Sequence, residues 1–178
     1  MPSLLHFLAF NRPSSSRGMT LMELLITLAV ASVLLTLATP SIINLYSSNA
    51  LTTQANEIVS LLNYARSEAI GRNRTILFCR ANNLSDSTCV TSTGSWKNWL
   101  ILSGTSVIRR GTLSNSAGMI LTSNFTNDTI TFSPDGLARN GANLVNGQFL
   151  QIQTATSTRC IVMGAGSRTN VKNITGNC

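Results

Sequence analysis

Glu23 stands at the head of an apolar run: Met19-Thr20-Leu21-Met22 precedes it, and LLITLAVASVLLTLA follows with no charge at all. A carboxylate beside bilayer hydrocarbon is costly, roughly 2.5–3.5 kcal/mol for comparable charges at a helix centre, so it calls for a partner of opposite sign. Four cysteines, Cys79, Cys89, Cys160 and Cys178, are the next candidates for metal or redox chemistry. They lack the tight C-x₂₋₄-C knuckles of a zinc site. Four cysteines allow three pairings, and their spacing favours Cys79–Cys89 and Cys160–Cys178. In an oxidising compartment either bridge contributes about 2–4 kcal/mol by restricting the unfolded chain. The single histidine, His6, lies near the N-terminus. Once a leader is removed, no imidazole remains for a triad, a metal site or a proton shuttle. Six acids with no paired motif complete the inventory, which argues against an enzyme; neither a cofactor nor a small-molecule substrate is expected.

The cations are distributed unevenly. No acidic side chain follows Asp135, whereas Arg139, Arg159, Arg168 and Lys172 all do; with the terminal carboxylate this gives 4 − 1 = +3 over the last 43 residues. Such a tail attracts phosphate, the more so if a Cys160–Cys178 bridge holds Arg168 and Lys172 in one loop. Arg159, Arg168 and Lys172 are therefore candidates for contact with DNA, without sequence preference. No aromatic residue occurs in that loop, so base stacking is not indicated. A solvated basic surface, or one that meets an acidic neighbouring subunit, is the simpler account. The whole chain carries a net charge of +7 with only 11% charged residues. Its polarity comes from Ser, Thr and Asn, as suits an exported protein.

The elements that position these residues can be read from periodicity. LLHFLAF at 4–10 is too short to span a bilayer and is followed by the polar NRPSSSRG, unlike an ordinary secretory signal. The long apolar run extends from Met19 to about Ala38, near the twenty residues that cross hydrocarbon. Arg12 and Arg17 on its N-terminal side hold that side in the cytoplasm, so the body after residue 40 is exported. Pro40 interrupts the backbone ladder. Beyond it Leu51, Ala55, Ile58, Leu62, Ala65 and Ala69 recur at spacings of four and three, which predicts an amphipathic helix about five turns long. Gly71 is its expected C-cap. Short β-prone runs follow at 75–79, 99–102, 106–110, 119–122, 129–132, 149–153 and 159–163, with turn signals at SGT and at SPDG, 133–136. Stretches 81–95, 114–118 and 140–147 read as loops. One long helix followed by strands predicts an α+β domain, with the helix covered by an antiparallel sheet.

Arg17-Gly18-Met19-Thr20-Leu21 and Glu23 opening a long apolar helix resemble the class III signal of type IV pilins and type II secretion pseudopilins. The resemblance implies cleavage by a prepilin peptidase between Gly18 and Met19 and N-methylation of Met19. It also implies that Glu23 pairs with the free amine of a neighbouring subunit, so that two costly charges offset each other. Met19 stands where the family usually has Phe. LLNYARSEAIGRNR, an early cysteine pair leading to WKNWLIL, then VIRRG and TFSPDGLAR resemble the GspH/FimT/FimU group of minor pilins. That group implies a pilin-like fold with 1–18 as a cleaved leader, 19–40 as the membrane and filament-core half of the helix, 41–71 as its amphipathic half and 72–178 as a β-rich head. The implied function is a non-enzymatic minor pilin that helps assemble or prime a type IV pilus at its tip. A DNA-binding uptake subunit and an H-type pseudopilin of type II secretion are the alternatives. The implied location is the inner membrane, single-pass with a periplasmic head, and then the filament; the implied partners are other pilins and the peptidase. Members of the group often carry a GRxR-like C-terminal motif. Here GSRTN at 166–170 has Arg168 alone, with Asn170 where a second arginine would stand.

Overall fold

The computed structural model describes residues 18–114 and 118–178, without the side chains of 37–41. The expected leader with His6, Arg12 and Arg17, the side chain of Pro40 and the middle of the 114–118 loop lie outside the described residues. By its internal contacts the chain divides into a unit ending at Ser41 and a unit beginning at Ile42.

In the first unit, helix α1 (Leu21–Arg72, continuing into the second unit) begins behind Thr20. The Thr20 hydroxyl accepts the Glu23 N–H at 3.2 Å, and the Thr20 carbonyl accepts the Leu24 N–H at 3.1 Å. Thr20-x-x-Glu23 is thus the sequence pattern of a capping box, and Glu23 lies in the first turn, where the helix dipole favours a negative charge. Further along, the Thr27, Ser32 and Thr36 hydroxyls donate to the carbonyls of Leu24, Ala29 and Val33. The polar side chains of the run are therefore satisfied within the helix and demand no water. The large apolar side chains from Met19 to Leu35 are exposed. Among the described residues no helix is long and apolar enough to cross a membrane; the described side chains of the apolar run stop at Thr36.

In the second unit, every residue of the expected apolar stripe of α1, from Leu51 to Ala69, is buried, together with Leu61. The left-handed residue that ends the helix lies two positions beyond the expected Gly71. Gly71 is helical, and Asn73 takes the left-handed conformation with φ 49°. The Asn73 N–H donates to the Ile70 carbonyl and the Arg74 N–H to the Ala69 carbonyl, both at 3.2 Å. This is a Schellman ending, in which asparagine replaces the usual glycine.

Among the described residues, ten strands form two antiparallel sheets. The first has the order β3-β2-β1-β5-β6-β7, from β1 (Ile76–Ala81), β2 (Asn98–Ser103), β3 (Ser106–Thr112), β5 (Thr129–Phe132), β6 (Ala138–Asn140) and β7 (Asn143–Leu144). The second has the order β10-β9-β8-β4, from β4 (Ile120–Ser123), β8 (Gln148–Gln153), β9 (Thr158–Met163) and β10 (Thr169–Ile174). The stripe of α1 shares one core with Ile76, Phe78, Ile101, Ile130 and Phe132 of the first sheet and Leu150, Ile152, Ile161 and Met163 of the second. A smaller cluster of Cys79, Ala81, Leu100 and Leu102 covers the other face of the first sheet beneath Cys89.

Seven strands lie where the β-prone runs predict them. β6, β7 and β10 do not, and the stretch 140–147 holds strand pairing rather than being a loop throughout. The six residues of β10, TNVKNI, hold only two aliphatic side chains, and four of the six are exposed. It is held by backbone pairing with β9 in a register from Thr169↔Met163 to Ile174↔Thr158, not by burial, so composition gives no signal for it. The expected turn at 133–136 is present: the Gly136 N–H donates to the Ser133 carbonyl at 2.9 Å, and φ is +76°. A Cβ on Gly136 would stand 2.8 Å from Ile70 Cδ1, the movable end of that side chain, so it is the positive φ that requires glycine there.

Candidate functional site

Three sets of residues are candidates: Glu23 with the expected processing site, the two cystines with the arginines beside them, and the basic C-terminal strand. Gly18 and Met19 directly precede α1 and are exposed. Glu23 is exposed and has no ion-pair partner among the described residues. Its carboxylate is free to meet a cation from outside the chain.

The cystines are Cys79–Cys89 and Cys160–Cys178, with Cα–Cα distances of 5.7 and 5.9 Å. Cys79 sits mid-strand on β1, and its bridge ties the 82–95 segment over the outer cluster. Next to it Arg80 points to the opposite face of β1, because successive side chains alternate. Its Nε donates to Asp128 Oδ2 at 2.9 Å, and its remaining nitrogens reach the Ser92 carbonyl, Ser92 Oγ and Asn82 Oδ1. Asp128, 0% exposed, also accepts the Gly94 N–H at 2.7 Å and the Ser123 hydroxyl. A left-handed pair, Asn127 (φ 54°) and Asp128 (φ 47°), turns that carboxylate inward. The segment 82–95 is therefore fastened at its middle by the cystine at Cys89 and near its far end by the bonds of Ser92 and Gly94 to the buried ion pair. Sequence reasoning missed this pair; an Asn-Asp step just before β5 was its only signal.

At the exposed tip of the same segment, Asp86 Oδ2 accepts the N–H groups of Asn82 and Asn83 at 3.0 and 2.9 Å. The Asn83 backbone bond above all, with the other local hydrogen bonds and Arg110 adding to it, holds its carboxyl below the usual range.

Cys160–Cys178 lies on the second sheet. The Cys178 N–H donates to Gln151 Oε1 at 2.9 Å, and Gln151 Nε2 donates to Asn177 Oδ1 at 3.2 Å, so the tail folds back over β8 and β9. The three basic residues expected to meet phosphate together are separated. Lys172 is exposed and pairs in register with Cys160; Arg168 is exposed immediately before β10. Arg159 pairs in register with Asn173, on the opposite side of the strands from Lys172. It is only 8% exposed. Its guanidinium donates to Ser48 Oγ at 3.0 Å, Thr52 Oγ1 at 3.4 Å, Asn173 Oδ1 and the Thr158 carbonyl. Arg159 is thus a tie between β9 and α1, and of the three cations expected to meet phosphate only Arg168 and Lys172 are exposed. A cation that sequence reasoning did not place here is Arg66, whose Nη1 donates to the carbonyl of Ser167, the neighbour of Arg168, at 3.5 Å. No group of His, Cys, Asp and Glu able to hold a metal occurs among the described residues.

Against this geometry, a family profile described as type II transport protein GspH matches residues 54–167. A profile described as a prokaryotic N-terminal methylation motif matches residues 13–39. No curated protein sequence gives a significant match. Among solved structures, the type IV minor pilin FimU of Pseudomonas aeruginosa strain PAO1 is similar in two crystal forms. In space group P21 the TM-score is 0.54 at 19% identity, covering 71% of this chain and 90% of that one. In space group P65 the values are 0.51 and 18%, covering 68% and 92%. At such identity the likeness is one of fold: a long N-terminal helix packed on antiparallel strands.

Proposed function

Because this chain belongs to the family of type II transport protein GspH, we propose that it is a minor subunit of a type IV pilus, non-enzymatic, acting in assembly or priming at the filament tip. The observation that carries this reading is the first unit: a methylation motif heads a Thr20-capped helix whose large apolar side chains are exposed and whose Glu23 has no ion-pair partner among the described residues. Such a helix needs lipid first and neighbouring helices afterwards. On this reading prepilin peptidase cleaves between Gly18 and Met19, Met19 is N-methylated, and Glu23 meets the amine of the next subunit. Before assembly the chain sits in the inner membrane as a single pass with its head in the periplasm. An H-type pseudopilin of a type II secretion system shares each of these features, and the phenotype of a deletion strain, loss of pili or loss of secretion, separates the two.

Mass spectrometry of purified filaments tests the reading: the chain should begin at methylated Met19, and a terminus elsewhere overturns it. Glu23→Val should leave membrane insertion intact or improved and lower incorporation into filaments; unchanged incorporation refutes the proposed pairing.

A DNA-binding role in uptake is the second reading, favoured by the exposure of Arg168 and Lys172 and the proximity of Arg66. Two phosphate contacts give a log–log salt slope near about −1.8. Arg168→Ala with Lys172→Ala should flatten it, and the absence of salt-dependent binding by the wild-type protein at low ionic strength excludes this role.

A further inference from the structure

Arg80 and Arg159 are both buried, but only Arg80 meets a carboxylate. Among the described residues Arg159 has no ion-pair partner; each acceptor around it, Ser48 Oγ, Thr52 Oγ1, Asn173 Oδ1 and the Thr158 carbonyl, is neutral. A guanidinium withdrawn from water without a counter-charge is unfavourable, and a carboxylate that took the place of the Thr52 and Asn173 acceptors would match its planar fork. Thr52 and Asn173 are exposed, so the charge lies just beneath the surface rather than deep in the core.

Next to it, on the same helix, Ile42, Ile43, Leu45 and Tyr46 are 61–64% exposed. An open groove of about 260 Å³ runs between Ile43, Tyr46 and Ser47 on α1 and Thr154–Thr156 in the β8–β9 turn. Ser47 Oγ reaches Thr154 Oγ1 across it at 3.4 Å. An apolar patch beside a recessed cation is the composition of a protein interface, with an apolar centre and a polar rim. A nucleic acid would leave the apolar patch uncovered and would meet exposed Arg168 and Lys172 first.

We propose that this shelf is a subunit contact: the neighbouring pilin covers Ile42–Tyr46 and inserts an Asp or Glu side chain that pairs with Arg159. The proposal rests on the assembly reading and adds the site and the chemistry of the partner.

The test uses the full-length chain in cells lacking the wild-type copy, with the protein quantified in sheared filaments and its melting followed in detergent. Arg159→Met loses four hydrogen bonds together with the desolvation cost of the charge, so the two effects oppose each other and melting should change little. Its filament content should fall about tenfold or more, the scale on which interfaces lose affinity when a buried charge pair is truncated. Ser48→Asp places a carboxylate of the chain itself beside Arg159, so melting should rise while incorporation falls. If Ser48→Asp raises melting and incorporation stays at the wild-type level, Arg159 is only an internal tie and the proposal is overturned. It is equally overturned if Arg159→Met abolishes binding of duplex DNA at low salt while filaments keep the subunit. A wild-type chain absent from filaments removes the assembly reading itself, and this contact with it.

Discussion

The two sheets are built around the same local pair, a half-cystine next to an arginine: Cys79-Arg80 on β1 and Arg159-Cys160 on β9. Alternation sends the two members of each pair to opposite faces. On the first sheet the arginine meets Asp128, 0% exposed, and the cystine fastens the sixteen-residue excursion between β1 and β2 (residues 82–97) over a second apolar cluster. On the second sheet the arginine meets hydroxyls and an amide, and the cystine fastens the chain's last residues over a face that carries Gln151 and Lys172. The first arrangement closes its charges within the molecule; the second leaves one open. On the contact proposed above, the first sheet serves stability and the second serves contact with a neighbouring subunit.

The sharpest way to break that comparison is Asp128→Asn. It leaves Arg80 buried without a counter-charge and should cost about 3–5 kcal/mol, read as a lowered melting temperature. A loss no larger than that of a surface substitution would show that the first sheet does not depend on its ion pair. Removing the cystines one at a time comes next: Cys79→Ser with Cys89→Ser, or Cys160→Ser with Cys178→Ser, should each cost about 2–4 kcal/mol. They should differ in kind. Loss of Cys79–Cys89 should expose Leu100 and Leu102 and raise binding of a hydrophobic dye, whereas loss of Cys160–Cys178 should not. Equal dye binding by the two variants would erase the distinction. Smaller again is Gly111→Ala on β3, where a Cβ would stand 2.4 Å from Trp99 Cζ2. Displacing that buried indole should cost about 1–3 kcal/mol and shift its fluorescence.

The smallest effect concerns Asp86. Its folded pKa is lowered, so its contribution to the order of the 82–86 loop is present above the ordinary carboxylate pKa of about 4 and is lost as pH falls through the lowered value. Amide chemical shifts of Asn82 and Asn83 should titrate together in that acid range. Shifts that move at the pKa of a free carboxyl would show that the bonds do not hold the loop.

Much of this was legible in the sequence, and the reason is burial. The stripe from Leu51 to Ala69 and the apolar strands announce themselves because a regular period must match a buried face. The cystine spacing gave the same pairs that the structure contains. The order of features from RGMTL to SPDGLAR pointed to the family now matched over residues 54–167. What stayed hidden depends on polar partners distant in sequence. Arg80 and Asp128 are 48 residues apart, and Arg159 lies 111 from Ser48. Nothing in the local pattern around Arg159 distinguishes a buried tie from an exposed cation. β10 was hidden for a related reason, since backbone pairing leaves no mark on composition. Asn73 rather than Gly71 ends α1 because asparagine also tolerates the left-handed region.

The tie from Arg159 to Ser48 and Thr52 also has a consequence in time. β1, β2 and β3 pair through neighbouring hairpins and can form soon after they meet, whereas this tie closes a loop of more than a hundred residues and must await β9. Contacts of such sequence separation form late, since their closure entropy is met only after local structure is in place. The part of α1 around Ser48 is therefore expected to dock last and to open first, with amide exchange there faster than at Leu62, and to be the portion of the body that a newly arriving subunit can still reshape.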